Sequence, residues 1–216
     1  MIKYFDIFAG IGGFRSGLEK AGGFECVGYC EIDRYAKKAY ETMYDTEGEV
    51  YYDDARKINP NELPDFDLIC GGFPCQSFSI AGKRGGFDDA RGTLFFEIAR
   101  IAAVKKPKYL LLENVPGLLS HDSGRTFATI LGSLDELGYD VVWEVLNSAD
   151  FGVPQSRKRM YIWFCQYHLT HFIRTRIMKR ERYDHSRAFF GLPEAARRWR
   201  CRFFCWPSNS YNISRS

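Results

Sequence analysis

Three short blocks of this sequence carry residue types able to do covalent, proton-transfer or anion-binding chemistry, each beside an apolar run. In Gly71-Gly72-Phe73-Pro74-Cys75-Gln76-Ser77-Phe78-Ser79 a cysteine sits in a Pro-containing turn just after such a run. A thiolate there can add covalently to a substrate, although a lone cysteine is more often a small buried hydrophobe. The glycine-punctuated basic stretch Ile80-Ala81-Gly82-Lys83-Arg84-Gly85-Gly86-Phe87 follows. It suits a hinged lid and equally a plain surface loop. Leu112-Glu113-Asn114-Val115 ends another apolar run on an acid. A carboxyl desolvated at that point holds its proton to higher pH and can donate it; an exposed one would only cap the next segment. In Gln155-Ser156-Arg157-Lys158-Arg159 two arginines stand two residues apart at the entry to an apolar run. In a strand they share a face, where guanidinium donors grip a phosphate or a base carbonyl or form a basic edge.

A fourth block has the form of a ligand cradle. Asp6-Ile7-Phe8-Ala9-Gly10-Ile11-Gly12-Gly13 runs from apolar residues into glycines and then into a helical pattern. Glycines admit positive φ and close approach of backbone to ligand, and the helix start beyond offers unpaired N–H groups. Glu31, about 20 residues on, is placed as an acid that binds a pair of ribose hydroxyls, while Asp33 is placed to cap the next helix. Loop and acid together do not separate NAD from S-adenosylmethionine.

The elements that must position these blocks alternate. Ile2–Phe8, Glu25–Cys30, Phe66–Cys70, Tyr109–Leu112, Val141–Leu146 and Met160–Phe164 read as strands. Gly13–Ala21, Arg34–Tyr44, a segment with Leu94, Ile98, Ile101 and Ala102 on one face, and Thr126–Leu137 read as helices. Continuous apolar runs fit strands buried on both faces. The alternation predicts an α/β, Rossmann-like fold, a mostly parallel sheet with helices on both faces and ligands beyond the strands' carboxyl ends.

Composition bounds the rest. The 216 residues suffice for one sizeable domain, and 45% hydrophobic with 26% charged residues is ordinary for a globular chain. No apolar run approaches 18 residues, so no membrane span is expected. The start MIKYFDIFAG has none of the features of a signal peptide, which predicts a cytoplasmic location. Seven cysteines, an odd number, then point to free thiols. The net charge of +3 divides unevenly: residues 1–162 hold 19 Lys+Arg and 24 Asp+Glu, while residues 163–216 hold 11 and 3. Ten of those 11 are arginine. The break predicts two parts, residues 1–164 as the cofactor-binding catalytic domain and residues 165–216 as a basic, Arg-rich tail, either an arm for phosphates or sequence not selected for this fold. Cys165, His168, His171 and Cys201 or Cys205 match no zinc-finger spacing, so no metal is expected.

The blocks from Lys3 to Ile162, in this order and spacing, resemble the cytosine-C5 DNA methyltransferase family. The resemblance rests on Gly-Phe-Pro-Cys-Gln, Glu-Asn-Val and Gln-x-Arg-x-Arg. It implies that Cys75 attacks carbon 6 of a cytosine, that Glu113 contacts N3 and the amino group as a proton donor, and that Arg159, with Arg157 beside it, contacts O2 and fixes Glu113. It implies S-adenosylmethionine as cofactor, with Tyr4 packed on the adenine, Phe8, Ala9, Gly10 and Gly12 along the methionine side, Glu31 on the ribose, Ile32 against the adenine and Asp54 accepting from its amino group. Pro74 and Leu94 would also line this pocket, and Gln76–Arg91 would be a lid closing over a flipped-out base. Double-stranded DNA is the implied partner, in a restriction–modification system; a methyltransferase acting on tRNA cytosine shares the same blocks.

Past Phe164 the resemblance stops. The family's target-recognition region and its closing Gly-Asn-Ser/Ala-Val block find no counterpart there. The chain is therefore expected to lack the small recognition domain, and to show little sequence-specific methylation unless a second polypeptide supplies that region.

Overall fold

The computed structural model describes residues 1–74 and 94–166. Within them one sheet forms from β1 (Ile2–Ile7), β2 (Phe24–Cys30), β3 (Val50–Tyr52), β4 (Leu68–Gly72), β5 (Tyr109–Asn114), β6 (Tyr139–Asn147) and β7 (Lys158–Gln166). The spatial order is β3-β2-β1-β4-β5-β7-β6. The first five strands pair in parallel, and β7 lies antiparallel between β5 and β6. The described helices are α1 (Gly13–Ala21), α2 (Arg34–Met43), α3 (Leu94–Lys105) and α4 (Arg125–Glu136).

The alternating sides of the central strands bury into different helices. Phe5, Ile7, Ile69, Leu110 and Leu112 pack with Phe95, Ile98 and Ile101 of α3 and Phe127, Ile130 and Leu134 of α4. On the opposite face Tyr4, Leu68, Cys70 and Leu111 pack with Leu18 of α1. Burial on both sides is why β4 and β5 read as unbroken apolar runs. Asp33 caps α2 as its position predicts, its carboxylate accepting from the N–H groups of Tyr35 and Ala36, both at 2.8 Å.

The chain leaves β1 toward β2 on one side and returns as β4 on the other. This reversal of direction opens the crevice where α/β sheets take ligands. The strand ends that face it carry the Phe8–Gly12 loop, Glu31, Asp54, Pro74 and Glu113. Because β7 runs antiparallel, its first residues, Arg159 among them, lie at this same edge.

Candidate active site

The glycine loop is held in an unusual backbone shape. Phe8 has φ +57°, Gly10 +57° and Gly12 +86°. A non-glycine residue in the left-handed region is strained by roughly 1–3 kcal/mol and is found where surrounding structure fixes it. Here Ala9 N–H donates to the Cys30 carbonyl at 3.0 Å, and Gly10 N–H donates to Glu31 Oε2 at 2.7 Å. Below the loop, Tyr44 Oη donates to the Gly12 carbonyl at 2.9 Å, and a Cβ on Gly12 would fall 2.3 Å from the Tyr44 ring. Only glycine fits at 12, both for its φ and for that contact. The start of α1 has no side-chain cap, so its N–H groups remain for a ligand carboxylate.

Glu31 sits at the rim. Its Oε1 accepts from Asp33 N–H at 2.7 Å. Each oxygen keeps a second lone pair for a hydroxyl donor. Ile32 beside it is 69% exposed. Asp54 is engaged more fully than its sequence position suggests. Arg56 grips it with Nε and Nη2, the latter 2.7 Å from Oδ2, and Arg56 N–H donates to Oδ1 at 3.0 Å. Those bonds hold the Asp54 carboxyl below its ordinary pKa. An adenine amino group reaching Asp54 has to displace part of the Arg56 contact.

Tyr4 departs from expectation. It is 1% exposed, in the core with Leu18, Leu68, Cys70 and Leu111, and its hydroxyl has no hydrogen-bond partner. Tyr4 stands in mid-strand, where parallel neighbours on both sides and α1 above enclose its ring, so it offers no face to an adenine.

Between the glycine loop and the core lies a buried polar group of residues. Asp6, fully buried, accepts from Cys70 Sγ at 3.6 Å and from Tyr40 Oη at 3.4 Å. Burial pushes its carboxyl up to about 8, against the opposing effect of those bonds and of Arg15. Arg15 in turn pairs with Glu49 at 2.9 Å and donates to the Asp45 carbonyl at 2.6 Å. It also lies over the rings of Tyr40 and Tyr44.

On the other side of the crevice, Glu113 and Arg159 meet. Arg159 Nε lies 2.6 Å from Glu113 Oε1, with both side chains about three-quarters buried. Glu113 pairs directly with Tyr161 across β5 and β7, which sets Arg159 on the diagonal where a long side chain reaches it. Burial raises the Glu113 carboxyl, while the charges of Arg159 and Arg157 and the Arg159 bond oppose the rise. Arg157 is exposed just ahead of β7; its N–H donates to Asn147 Oδ1 at 2.9 Å. Asn114, next to Glu113 and buried, donates from Nδ2 to the Phe73 carbonyl at 2.9 Å. Phe73 is itself buried, its ring 5.5 Å from that of Phe95. Together these contacts fix the turn that leads to Pro74. Pro74 is exposed at the edge and Leu94 is half-buried at the start of α3. Cys75 and the Gln76–Arg91 loop lie outside the described residues, as does the expected closeness of Cys75 to Glu113.

The structure thus brings Glu113 to Arg159, and the glycine loop to Glu31. Asp6, Arg56 and Asn114 were not read as site residues from the sequence. A signal existed for two of them, since Asp6 opens the glycine block and Asn114 follows Glu113. Arg56 gave none. Among the described residues no group of His, Cys, Asp and Glu could hold a metal ion.

The family model for C-5 cytosine-specific DNA methylase matches residues 2–198. The chain belongs to the C-5 cytosine-specific DNA methylase family. The match to this family reaches beyond residue 164, where composition suggested a boundary. Among curated relatives, the type II methyltransferase M.NgoBI of Neisseria gonorrhoeae is 52% identical over 164 residues, 75% of this chain and 50% of that protein. The type II methyltransferase M.HhaI of Haemophilus parahaemolyticus is 47% identical over 161 residues, 74% of this chain and 48% of that protein. The chain spans about half the length of these curated relatives. Two solved structures share the fold. A Spodoptera frugiperda DNMT2 variant has TM-score 0.64 at 23% identity, covering 85% of this chain and 54% of its own. The S. pombe Dnmt2 methyltransferase has TM-score 0.59 at 21% identity, covering 77% and 50%.

Proposed function

We propose that this chain transfers a methyl group from S-adenosylmethionine to carbon 5 of cytosine in double-stranded DNA, within a bacterial cytosol and as part of a restriction–modification system. The observation that carries the reading is the Glu113–Arg159 pair. A carboxyl with a raised pKa is held by a guanidinium at the edge of the crevice, one strand from the turn that precedes Cys75.

The described residues fit the cofactor. The uncapped start of α1 would take its carboxylate end, with Gly10 and Gly12 lining the methionine side, Glu31 the ribose hydroxyls and Ile32 the adenine face. Asp54 would accept from the adenine amino group once Arg56 yields, and Pro74 and Leu94 would complete the wall. S-adenosylmethionine, when bound, supplies an electrophilic methyl group. Cytosine carbon 5 needs activation to accept one, and Cys75 provides it by adding as a thiolate at carbon 6, which leaves carbon 5 electron-rich. Glu113, protonated, donates to N3 and stabilises the charge that develops on the ring. Arg159 keeps Glu113 in place and contributes a donor for the O2 carbonyl. Loss of the carbon 5 proton to water re-forms the C5–C6 double bond and expels Cys75 as a thiolate. The attack comes from above the ring plane, so the base must leave the helix stack.

Tritiated methyl transfer from S-adenosylmethionine to mixed-sequence duplexes, with tRNA in parallel, tests this reading. A duplex containing 5-fluorocytosine should be trapped covalently at Cys75, and Cys75→Ser should abolish transfer with cofactor binding kept. An adduct on another residue, transfer by the serine variant, or methylation of tRNA but not DNA would overturn it. Repeating the assay with candidate partner chains tests whether a second polypeptide contributes.

A further inference from the structure

Gly72 closes β4 directly opposite Glu113 of β5. Its backbone is ordinary extended strand, outside the positive-φ glycines, so nothing in its own conformation calls for glycine. The reason lies across the strand pair. A Cβ built on Gly72 would meet Glu113 Oε2 at 2.8 Å, with Cδ at 3.8 Å and Cβ at 4.0 Å. Real Cβ atoms do not come that close to an oxygen, so the carboxyl group would have to turn away. Gly71 differs: its Cβ would meet the Ile7 backbone carbonyl oxygen at 2.0 Å, a clash inside the sheet that damages the fold whatever Glu113 does.

The two oxygens of Glu113 are therefore held by different means. Oε1 is fixed by Arg159 at 2.6 Å. Oε2 lies over the bare Cα of Gly72. A carboxyl pinned at one oxygen still rotates about its Cγ–Cδ bond, a broad and soft torsion. Space on one side and Arg159 on the other select the rotation.

We propose that Gly72 is a positioning residue for the reaction: by lacking a side chain it admits the Glu113 carboxyl into the one orientation that presents Oε2 toward the base pocket while Arg159 keeps Oε1. This rests on the proposed methyl transfer, in which Glu113 meets the cytosine ring. Gly72→Ala leaves the backbone and the Arg159 pair available but displaces Oε2 by several tenths of an ångström. Misplacement on that scale slows a positioned proton donor by roughly tenfold to a hundredfold.

The test is a double-mutant cycle on the full chain with Gly72→Ala, Glu113→Gln and the double variant. Melting temperature and equilibrium S-adenosylmethionine binding serve as controls. Gly72→Ala should lower kcat while leaving melting and cofactor affinity near wild type, and it should add nothing in the Glu113→Gln background, because the oxygen it displaces no longer acts as an acid. An unchanged kcat, or the same loss in both backgrounds, overturns the proposal. A wild-type chain without transfer overturns the proposed function instead, and a second measurement then decides on Gly72. The carboxyl carbon of Glu113, followed by NMR in glutamate-labelled protein and assigned by its loss in Glu113→Gln, should titrate at a different midpoint in Gly72→Ala. An identical midpoint overturns the positioning role without reference to activity.

Discussion

Asp6 and Glu113 are both strand-end carboxyls at the same sheet edge, and burial raises both. Their surroundings divide them. Asp6 is fully enclosed, with Cys70 and Tyr40 donating to its two oxygens. Glu113 is partly open, with one oxygen on Arg159 and the other over a glycine. A raised pKa alone therefore does not mark a catalytic acid. Access decides, and so does a partner that leaves one oxygen for the substrate. Asp6 belongs to the scaffold that shapes the glycine loop; Glu113 keeps the open oxygen that the proposed reaction requires.

The largest separation should come from Glu113→Gln. The amide keeps the shape but cannot give up a proton, and loss of a positioned general acid slows a reaction by about 10²–10⁴-fold. Melting should move little, because the position is partly open. For the wild type, the active fraction is the protonated one, so transfer should fall as pH rises through the raised Glu113 pKa. Initial rates from pH 5 to 9 check both points. A Glu113→Gln variant within threefold of wild type would dissolve the contrast with Asp6.

On the Asp6 side the effects should appear in stability. Arg15→Met removes the cation from Glu49, whose side chain is only 9% exposed. Breaking a buried pair by deleting one partner costs about 3–5 kcal/mol, and burial already raises the Glu49 carboxyl with Arg15 present. Denaturant unfolding should show a loss of that order. A loss under about 1 kcal/mol, the range of exposed pairs, would place this network at the surface in energetic terms.

Asp6→Asn should change the shape of the stability curve. In the folded chain burial pushes the Asp6 carboxyl up to about 8, from an ordinary 3.8. Between those values the folded state keeps a proton that the unfolded chain has lost. Stability therefore declines as pH rises from about 4 to about 8, and becomes level above. Asparagine has no proton to lose, so the variant should lack this slope, with methyl transfer far less affected than in Glu113→Gln. Unfolding free energies at pH 5, 7 and 9 give the answer, and parallel slopes in the two proteins would show that Asp6 is ionised throughout.

Much of this arrangement was legible before the structure. The helix Gly13–Ala21 was bounded correctly because glycines bracket it, and β5 was plain because burial on both faces removes every polar residue from Tyr109 to Leu112. The three-residue β3 leaves no signal in the sequence, since a short edge strand with mixed burial has no period to read. The antiparallel sense of β7 is likewise invisible in the sequence, as an apolar run carries no direction. Among the site residues, Glu113 and Arg159 could be paired only through a resemblance, because 45 positions of chain lie between them. The Arg56 grip on Asp54 and the bare face of Gly72 depend on side-chain directions that spacing does not encode.

Tyr4 gives the smallest effect. Read from the resemblance, its ring would pack on an adenine; in the fold it is sealed beneath α1, and its hydroxyl is the single buried side-chain polar atom without a partner among the described residues. Enclosure drives its pKa well up, because a phenolate there would have neither water nor a donor. A buried hydroxyl with no hydrogen bond carries a desolvation cost of about 1–3 kcal/mol. Tyr4→Phe removes that oxygen and keeps the ring that packs on Leu18 and Leu111, so it should leave stability unchanged or raise it by up to about 1 kcal/mol, allowing for the small void left. Cofactor affinity should stay at the wild-type value. Calorimetric titration with S-adenosylhomocysteine and a urea melt settle both quantities. A loss of stability would reveal a partner for the hydroxyl, such as a buried water held with Asp6 and Cys70. A loss of affinity without a loss of stability would return Tyr4 to the pocket.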